Sequence, residues 1–293
     1  MEVHQKMPAQ IIDGKTIAWE LREEIKAQVN KLHGKGFVPS LAVILVGTDP
    51  ASQIYVNNKA KACQECGIKS QVIRLPHSTK EEDLLQLIRQ LNEAKDVHGI
   101  LVQLPLPNQI REKVVIEAIN PLKDVDGLHP ENVGKLWTGN PYLKPCTPYG
   151  CLYLIQKSIK DIRGKRAVVV GRSNLTGRPM AALLLKENAT VTLCHSYTQN
   201  LPSITRAADI LVVAIGKPAF ITGEMIKPGA LVLDVGMNRL PDGKLVGDVD
   251  FATASERAGW ITPVPGGVGP MTIAMLMQNT LEAAYEQKNL LGK

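Results

Sequence analysis

The sequence predicts an α/β fold built as two βα domains with a cleft between them. Three observations carry that reading. Short apolar, β-branched runs alternate with segments of helical periodicity along nearly all of the 293 residues. A stretch rich in Pro, Gly and Asn, 121–150, interrupts the alternation once. A glycine-bounded turn, 171–177, sits between a predicted strand and a predicted helix in the second half. Together these make the second domain a Rossmann-type, doubly wound parallel sheet, and the length suits one large or two ordinary domains.

The elements follow in order. After a short leader, Ile17, Leu21, Ile25, Val29 and Leu32 recur at helical spacing and predict a helix over 15–33, ended by Gly34 and Gly36. LAVILVG (41–47) reads as a strand, and Asp49 and Pro50 open the helix behind it. SQVIRL (70–75) is the next strand, then a polar-faced helix over 80–94. HGILVQL (98–104) and a helix near 110–119 complete the first domain, assigned to residues 1–147. The irregular stretch 121–150 is expected to hold the boundary.

From 148 the alternation restarts, with a helix over 148–160 and a strand at RAVVVG (166–171). Pro179 falls in the first turn of the following helix. TVTLC (190–194), DILVVAIG (209–216) and ALVLDVG (230–236) are strands whose continuous apolar character suits a sheet buried on both faces. The second domain is assigned to 148–270. TPVPGGVGPMT (262–272) feeds an amphipathic helix over 271–287, and the segment 271–293 is expected to pack back on the first domain.

Composition narrows the class of partner. The 34 Lys+Arg against 28 Asp+Glu leave a net charge of +6 and a pI near 9.0. That balance favours anionic partners, or reads as a mildly basic surface kept for solubility. Aromatic residues at 4% carry no interleaved arginines, which argues against nucleic acid. No basic cluster follows an amphipathic stretch, and the apolar runs 41–46 and 210–215 are far too short to cross a bilayer. The leader MEVHQKMPAQ has no apolar core of a targeting signal, so a cytoplasmic location is expected. Cys63 and Cys66 form a CxxC without a second pair, so the five cysteines are expected to be reduced and structural, with no metal site.

Four segments carry chemistry. Gly171-Arg-Ser-Asn-Leu-Thr-Gly177 occupies the place of a dinucleotide-binding turn, although Ser173 replaces the second glycine of GxGxxG. The next strand ends at His195-Ser196, where NAD enzymes place an acid. Arg172 and Ser196 instead suit a 2′-phosphate, which favours NADP; the bland alternative is an ordinary βα turn with a surface arginine. Ser52, Tyr55 and Lys59 share one helix face, so the lysine is a candidate for proton transfer or simply a solvated side chain. Short-chain dehydrogenases also use YxxxK, but their glycine-rich turn precedes it. Gln103 interrupts an apolar run at a strand end, and Asp126 in DVDG is a ligand or a turn cap.

Taken in order, VGTDPASQIYVNNKAKACQECGI, GILVQLPLP, KDVDG, PCTPYG, VVVGRSNLTGRPM, TVTLCHS, DVGMNR and TPVPGGVGPMT resemble the bifunctional methylenetetrahydrofolate dehydrogenase/methenyltetrahydrofolate cyclohydrolase family, from about Ile11 to the terminal helix. The resemblance implies oxidation of 5,10-methylenetetrahydrofolate to the methenyl cation with NADP, then hydrolysis to 10-formyltetrahydrofolate. Carried over by residue, it implies Lys59 as principal catalytic group, Gln103 as its partner, Tyr55 as a stacking surface and Asp126 as a pterin ligand. It further implies substrate contacts at Val102, Leu104, Pro265, Gly266, Gly267 and Gly269. Dinucleotide contacts are implied at Gly171, Arg172, Ser173, Ser196 and Met237, and a homodimer through the cofactor domain. Met237 stands where relatives commonly carry Ile, and Tyr197 where many carry a basic residue, which leaves Arg172 more alone beside the 2′-phosphate. Two competing readings are a shikimate-type NADP dehydrogenase, which would not require PGGVGPMT or the YVNNK helix, and a non-catalytic dinucleotide-binding protein, which the presence of Lys59, Gln103 and Asp126 together disfavours.

Overall fold

The computed structural model describes residues 8–291, so the first seven residues of the leader and the last two of the terminal segment lie outside the described residues. In chain order the first part contains β1 (Gln10–Ile11), α1 (Gly14–His33), β2 (Ser40–Val46), α2 (Pro50–Cys66), β3 (Lys69–Leu75), α3 (Glu81–Glu93), β4 (Gly99–Val102), α4 (Glu112–Ala118), α5 (Pro130–Trp137) and α6 (Cys146–Ser158). There follow β5 (Arg166–Val170), α7 (Gly177–Lys186), β6 (Thr190–Cys194), α8 (Leu201–Thr205), β7 (Ile210–Val213), β8 (Leu231–Asp234), β9 (Asn238–Arg239), β10 (Leu245–Val246), α9 (Phe251–Ser255), β11 (Trp260–Ile261) and α10 (Val268–Leu291). Among the described residues, one compact unit gathers 8–17 with Thr147–Thr272; the other gathers Ala18–Cys146 with 273–291. Among the described residues no helix is long and apolar enough to cross a membrane.

The unit holding Ala18–Cys146 is built on a parallel three-stranded sheet, β3-β2-β4. Every residue of β2 is buried, as a central strand apolar from Leu41 to Val46 requires. Ile44, Leu84, Ile88, Ile100 and Val115 form its core. Asp49 caps α2 by accepting the Ser52 N–H at 2.7 Å, with Pro50 in the first turn, and Gly67 ends the helix in the left-handed region at φ 74°. The predicted strand over 98–104 is shorter, Gly99–Val102, but the Gln103 N–H still donates to Ile44 O at 2.8 Å and extends the ladder by one residue. The stretch 121–150 is not wholly irregular. It contains α5, whose buried side chains are only Asn132 and Leu136, too few to print a helical period on the sequence.

The other unit is a parallel six-stranded sheet in the order β6-β5-β7-β8-β11-β1, over a core that includes Val168, Val170, Leu211, Val213 and Val232. Strand order reverses at β5, with β6 on one side and β7 on the other. Its last two strands are two-residue pieces: Gln10 and Ile11 pair with Trp260 and Ile261. The residues just after the leader therefore join this sheet rather than the domain predicted over 1–147, because two residues show no alternation to read. The antiparallel pair β9–β10 was likewise outside the sequence pattern. The terminal helix starts at Val268, inside PGGVG, earlier than predicted.

Candidate functional site

In the three-stranded unit the order reverses at β2, so the crevice outside the carboxyl ends of β2 and β4 is the expected ligand position. Gln103 stands at the carboxyl end of β4. Lys59, half-buried in α2, donates from Nζ to Gln103 Oε1 at 2.9 Å. The amide is not free to turn over: Gln103 Nε2 donates to Leu104 O at 2.6 Å, which points the carbonyl oxygen at the lysine. Tyr55, 40% exposed, lies one helical turn before Lys59. Ser52, on the same predicted face, is buried, and its N–H serves the Asp49 cap.

Asp126 reaches this unit's site through a different device. Asp124 bridges to Ile100 of β4 and is buried, accepting the His129 N–H at 2.8 Å and Asn132 Nδ2 at 2.9 Å. That anchors the 124–127 turn beside β4. Gly127 permits the turn: its φ is 72°, and an added Cβ would lie 2.4 Å from the Lys144 carbonyl carbon. The Cys146 thiol lies against this turn, donating to Val125 O at 3.3 Å. Burial raises that thiol well above its ordinary value; the Asp126 charge adds to the shift and the Lys59 charge opposes it, so Lys59, Asp126 and Cys146 share one electrostatic neighbourhood. Val102 and Leu104 pack into the hydrophobic core, which leaves their backbone rather than their side chains to face a ligand.

Asn279 of α10 is a residue the sequence reading missed. Its Nδ2 donates to Val125 O at 2.8 Å and Lys144 O at 2.7 Å, clamping the Asp126 turn. An asparagine just after the apolar run 273–277 of the terminal helix was the available signal. All five cysteines are buried thiols, and burial pushes Cys63 up to about 12.

In the six-stranded unit the predicted turn lies where the order reverses, between the carboxyl ends of β5 and β7. The Gly171 N–H donates to Cys194 O at 2.9 Å. An added Cβ at Gly171 would lie 2.1 Å from Ala214 O, and one at Gly177 would lie 1.9 Å from Gly171 O, so the chain doubles back with no room for side chains. Ser173 Oγ accepts the Thr176 N–H at 3.1 Å, closing the turn that glycine would otherwise make. Arg172 is exposed beside Tyr197, 5.8 Å from its ring centroid. Ser196 is exposed in a turn in which the His195 N–H donates to Thr198 Oγ1 at 2.8 Å.

The PGGVG loop belongs to this same unit. An added Cβ at Gly269 would lie 3.4 Å from Met237 Cε, and one at Gly14 would lie 1.8 Å from Gly267 O. Gly266 and Gly267 are buried, while Pro265 is exposed. Behind Met237 sit two buried carboxylates that the sequence reading did not single out, Asp234 and Asp248. Burial, together with the Asp248 charge, pushes Asp234 up to about 6, against the pull of its backbone donors. Thus Lys59, Gln103, Tyr55 and Asp126 gather in one unit, and Gly171, Arg172, Ser173, Ser196, Met237 and the 265–269 loop in the other.

The chain matches the model of the tetrahydrofolate dehydrogenase/cyclohydrolase catalytic domain over residues 12–126 and that of its NAD(P)-binding domain over residues 145–288. It is 60% identical over 278 residues to the bifunctional protein FolD of Moorella thermoacetica, covering 95% of this chain and 99% of that one. It is similar in structure to the bifunctional FolD methylenetetrahydrofolate dehydrogenase/cyclohydrolase of Campylobacter jejuni, with a TM-score of 0.93 at 50% identity, covering 95% of this chain and 99% of that one. The Trypanosoma brucei enzyme, solved with NADP and an inhibitor, has a TM-score of 0.91 at 42% identity, covering 96% of this chain and 98% of that one.

Proposed function

The chain belongs to the tetrahydrofolate dehydrogenase/cyclohydrolase family, and on that premise we propose how its residues divide the work. The chain is a bifunctional one-carbon enzyme: it oxidises 5,10-methylenetetrahydrofolate to 5,10-methenyltetrahydrofolate with NADP and hydrolyses that product to 10-formyltetrahydrofolate. The observation that carries the residue assignment is the Lys59–Gln103 bond at a strand end, between the lysine Nζ and a neutral amide.

The chemistry the dinucleotide supplies is acceptance of a hydride from the methylene carbon. The residues present fit such a group. Gly171 and Gly177 keep the turn after β5 free of side chains, and Arg172 and Ser196 are exposed donors at the adjoining ends of β5 and β6. Arg172 pairs with the 2′-phosphate, and Tyr197 supports it from the side. Arg172→Ala is accordingly expected to lower kcat/KM for NADP by about ten-fold or more with little change for NAD; an unchanged NADP-to-NAD ratio removes the assignment.

Lys59 works at Nζ. Its neutral partner fixes its direction without locking it in an ion pair, so Nζ in its deprotonated form takes a proton from the water that attacks the methenyl carbon and returns it to the nitrogen released on ring opening. Gln103 holds Lys59 through the oxygen that Leu104 orients. Asp126 accepts hydrogen bonds from the pterin, and the Tyr55 ring stacks on the substrate. The enzyme works as a cytoplasmic homodimer through its cofactor unit. The five buried thiols suit a reducing compartment, and β6 offers an open sheet edge for pairing.

Methenyltetrahydrofolate absorbance tests both activities together. With methylenetetrahydrofolate and NADP added, the signal is expected to rise and then decay; a flat trace would mean the chain binds without catalysing, and a rise without decay would remove the hydrolase half.

A further inference from the structure

The buried carboxylates behind Met237 do more than fill space. Asp248 is 0% exposed, and its carboxylate accepts three consecutive backbone N–H groups: Ile215 at 2.7 Å, Gly216 at 3.0 Å and Lys217 at 2.9 Å. It also accepts Asn238 Nδ2 at 2.8 Å, one residue beyond Met237. Asp248 is held in turn by Asp234, whose carboxylate accepts the Asp248 N–H, the Val249 N–H and the Gly236 N–H, each at 2.9 Å. Two glycines make the room: an added Cβ at Gly236 would lie 2.3 Å from Asp248 Cγ, and one at Gly247 would lie 1.8 Å from Asp234 Oδ2. These donors are almost all backbone amides, so the charges are met by oriented peptide dipoles.

The segment that Asp248 grips, 215–217, leaves the carboxyl end of β7, the strand beside β5 where the order reverses. A peptide N–H and the carbonyl of the same peptide plane point in opposite directions. With the N–H groups turned to Asp248, the carbonyls turn the other way; Ala214 O does so, facing Gly171. The 214–216 carbonyls thus make a wall of acceptors that meets the Gly171 turn at Ala214 and faces away from Asp248 beyond it. Such a wall suits the hydroxyl and amide donors of a dinucleotide and not its phosphates.

We propose that Asp248, seated by Asp234, is a positioning residue for the dinucleotide: it turns the 214–217 backbone so that carbonyls line the crevice, and fixes Asn238 beside Met237, without itself touching the ligand. This rests on the placement of NADP at the Gly171 turn given above.

The test is Asp248→Asn in the full-length enzyme, with direct NADP titration by fluorescence and steady-state kinetics. The amide offers one acceptor oxygen where the carboxylate offers two, so either the Ile215 and Gly216 N–H groups or the Lys217 N–H and Asn238 Nδ2 meet a donor. KM and Kd for NADP are expected to rise about ten-fold, the size of one lost charged hydrogen bond, while kcat at saturating NADP moves by less than about three-fold. A fall in kcat with KM unchanged would overturn the proposal, as would unchanged values for both. Hydrolysis of added methenyltetrahydrofolate reports that the variant is folded. If it is not, Asn238→Ser removes only one side-chain donor, and about a three-fold rise in KM for NADP is expected; no rise overturns the proposal. Wild-type enzyme that fails to bind NADP would instead remove the functional reading on which this rests.

Discussion

Lys59→Met lowers cyclohydrolase turnover by roughly 10³-fold, the middle of the range that a positioned general acid–base contributes. Methionine keeps an unbranched stem of similar reach, so the half-buried side of α2 stays filled while the amino group is lost. The residues that seat α2 (Ser52, Val56, Ala62, Cys63 and Cys66) are untouched, as is the Asp49 cap. Gln103 loses its donor, but it is only half-buried, its Leu104 bond remains, and water can reach the oxygen; that loss costs about 1 kcal/mol. The large effect therefore belongs to the proton at Nζ and not to the fold. The measurement is decay of added methenyltetrahydrofolate without dinucleotide, read beside a thermal melt. Turnover within about three-fold of wild type in a folded variant would leave Lys59 a surface lysine that happens to meet a glutamine.

Much of this unit's site was legible because its signals are local. Asp49-Pro50 announces the start of α2, and offsets of three and four place Tyr55 and Lys59 on adjoining turns. Gln103 was visible as a polar residue ending an apolar strand. That the two meet was not legible, since 44 residues separate them and only the β3-β2-β4 order brings them together. Val102 and Leu104, implied as substrate contacts by the resemblance, have side chains packed in or against the core, which the sequence around Gln103 does not announce. Asp248 was passed over because its partners at 215–217 lie more than thirty residues away and are backbone groups, which no side-chain pattern reports. The same holds for β1 and β11, whose two residues each carry no period.

In the six-stranded unit the largest expected effect is at Gly171, and two separate penalties meet there. Its φ of 120° is in the region that favours glycine, which for alanine costs on the order of 1–3 kcal/mol. The added Cβ would also lie 2.1 Å from Ala214 O and 2.9 Å from Ala214 C, backbone atoms that cannot rotate away. Relief requires β5 and β7 to part at their carboxyl ends, against the Val170–Val213 register and the Ala214 N–H bond to Val170 O. That displaces both walls of the crevice by about an ångström, a misplacement worth roughly 10²-fold in a positioned reaction. Gly171→Ala is therefore expected to lower kcat/KM for NADP by about 10²-fold or more and to lower the melting temperature. Hydrolysis of added methenyltetrahydrofolate falls far less, since Lys59, Gln103 and Asp126 all belong to the other unit. Gly216→Ala separates the two penalties: its φ is 65°, but nothing lies within 4 Å of the added Cβ, so only the conformational cost of about 1 kcal/mol applies. Equal losses in the two variants would mean that backbone strain alone decides, and that the close approach of Gly171 to Ala214 is not what shapes the dinucleotide site.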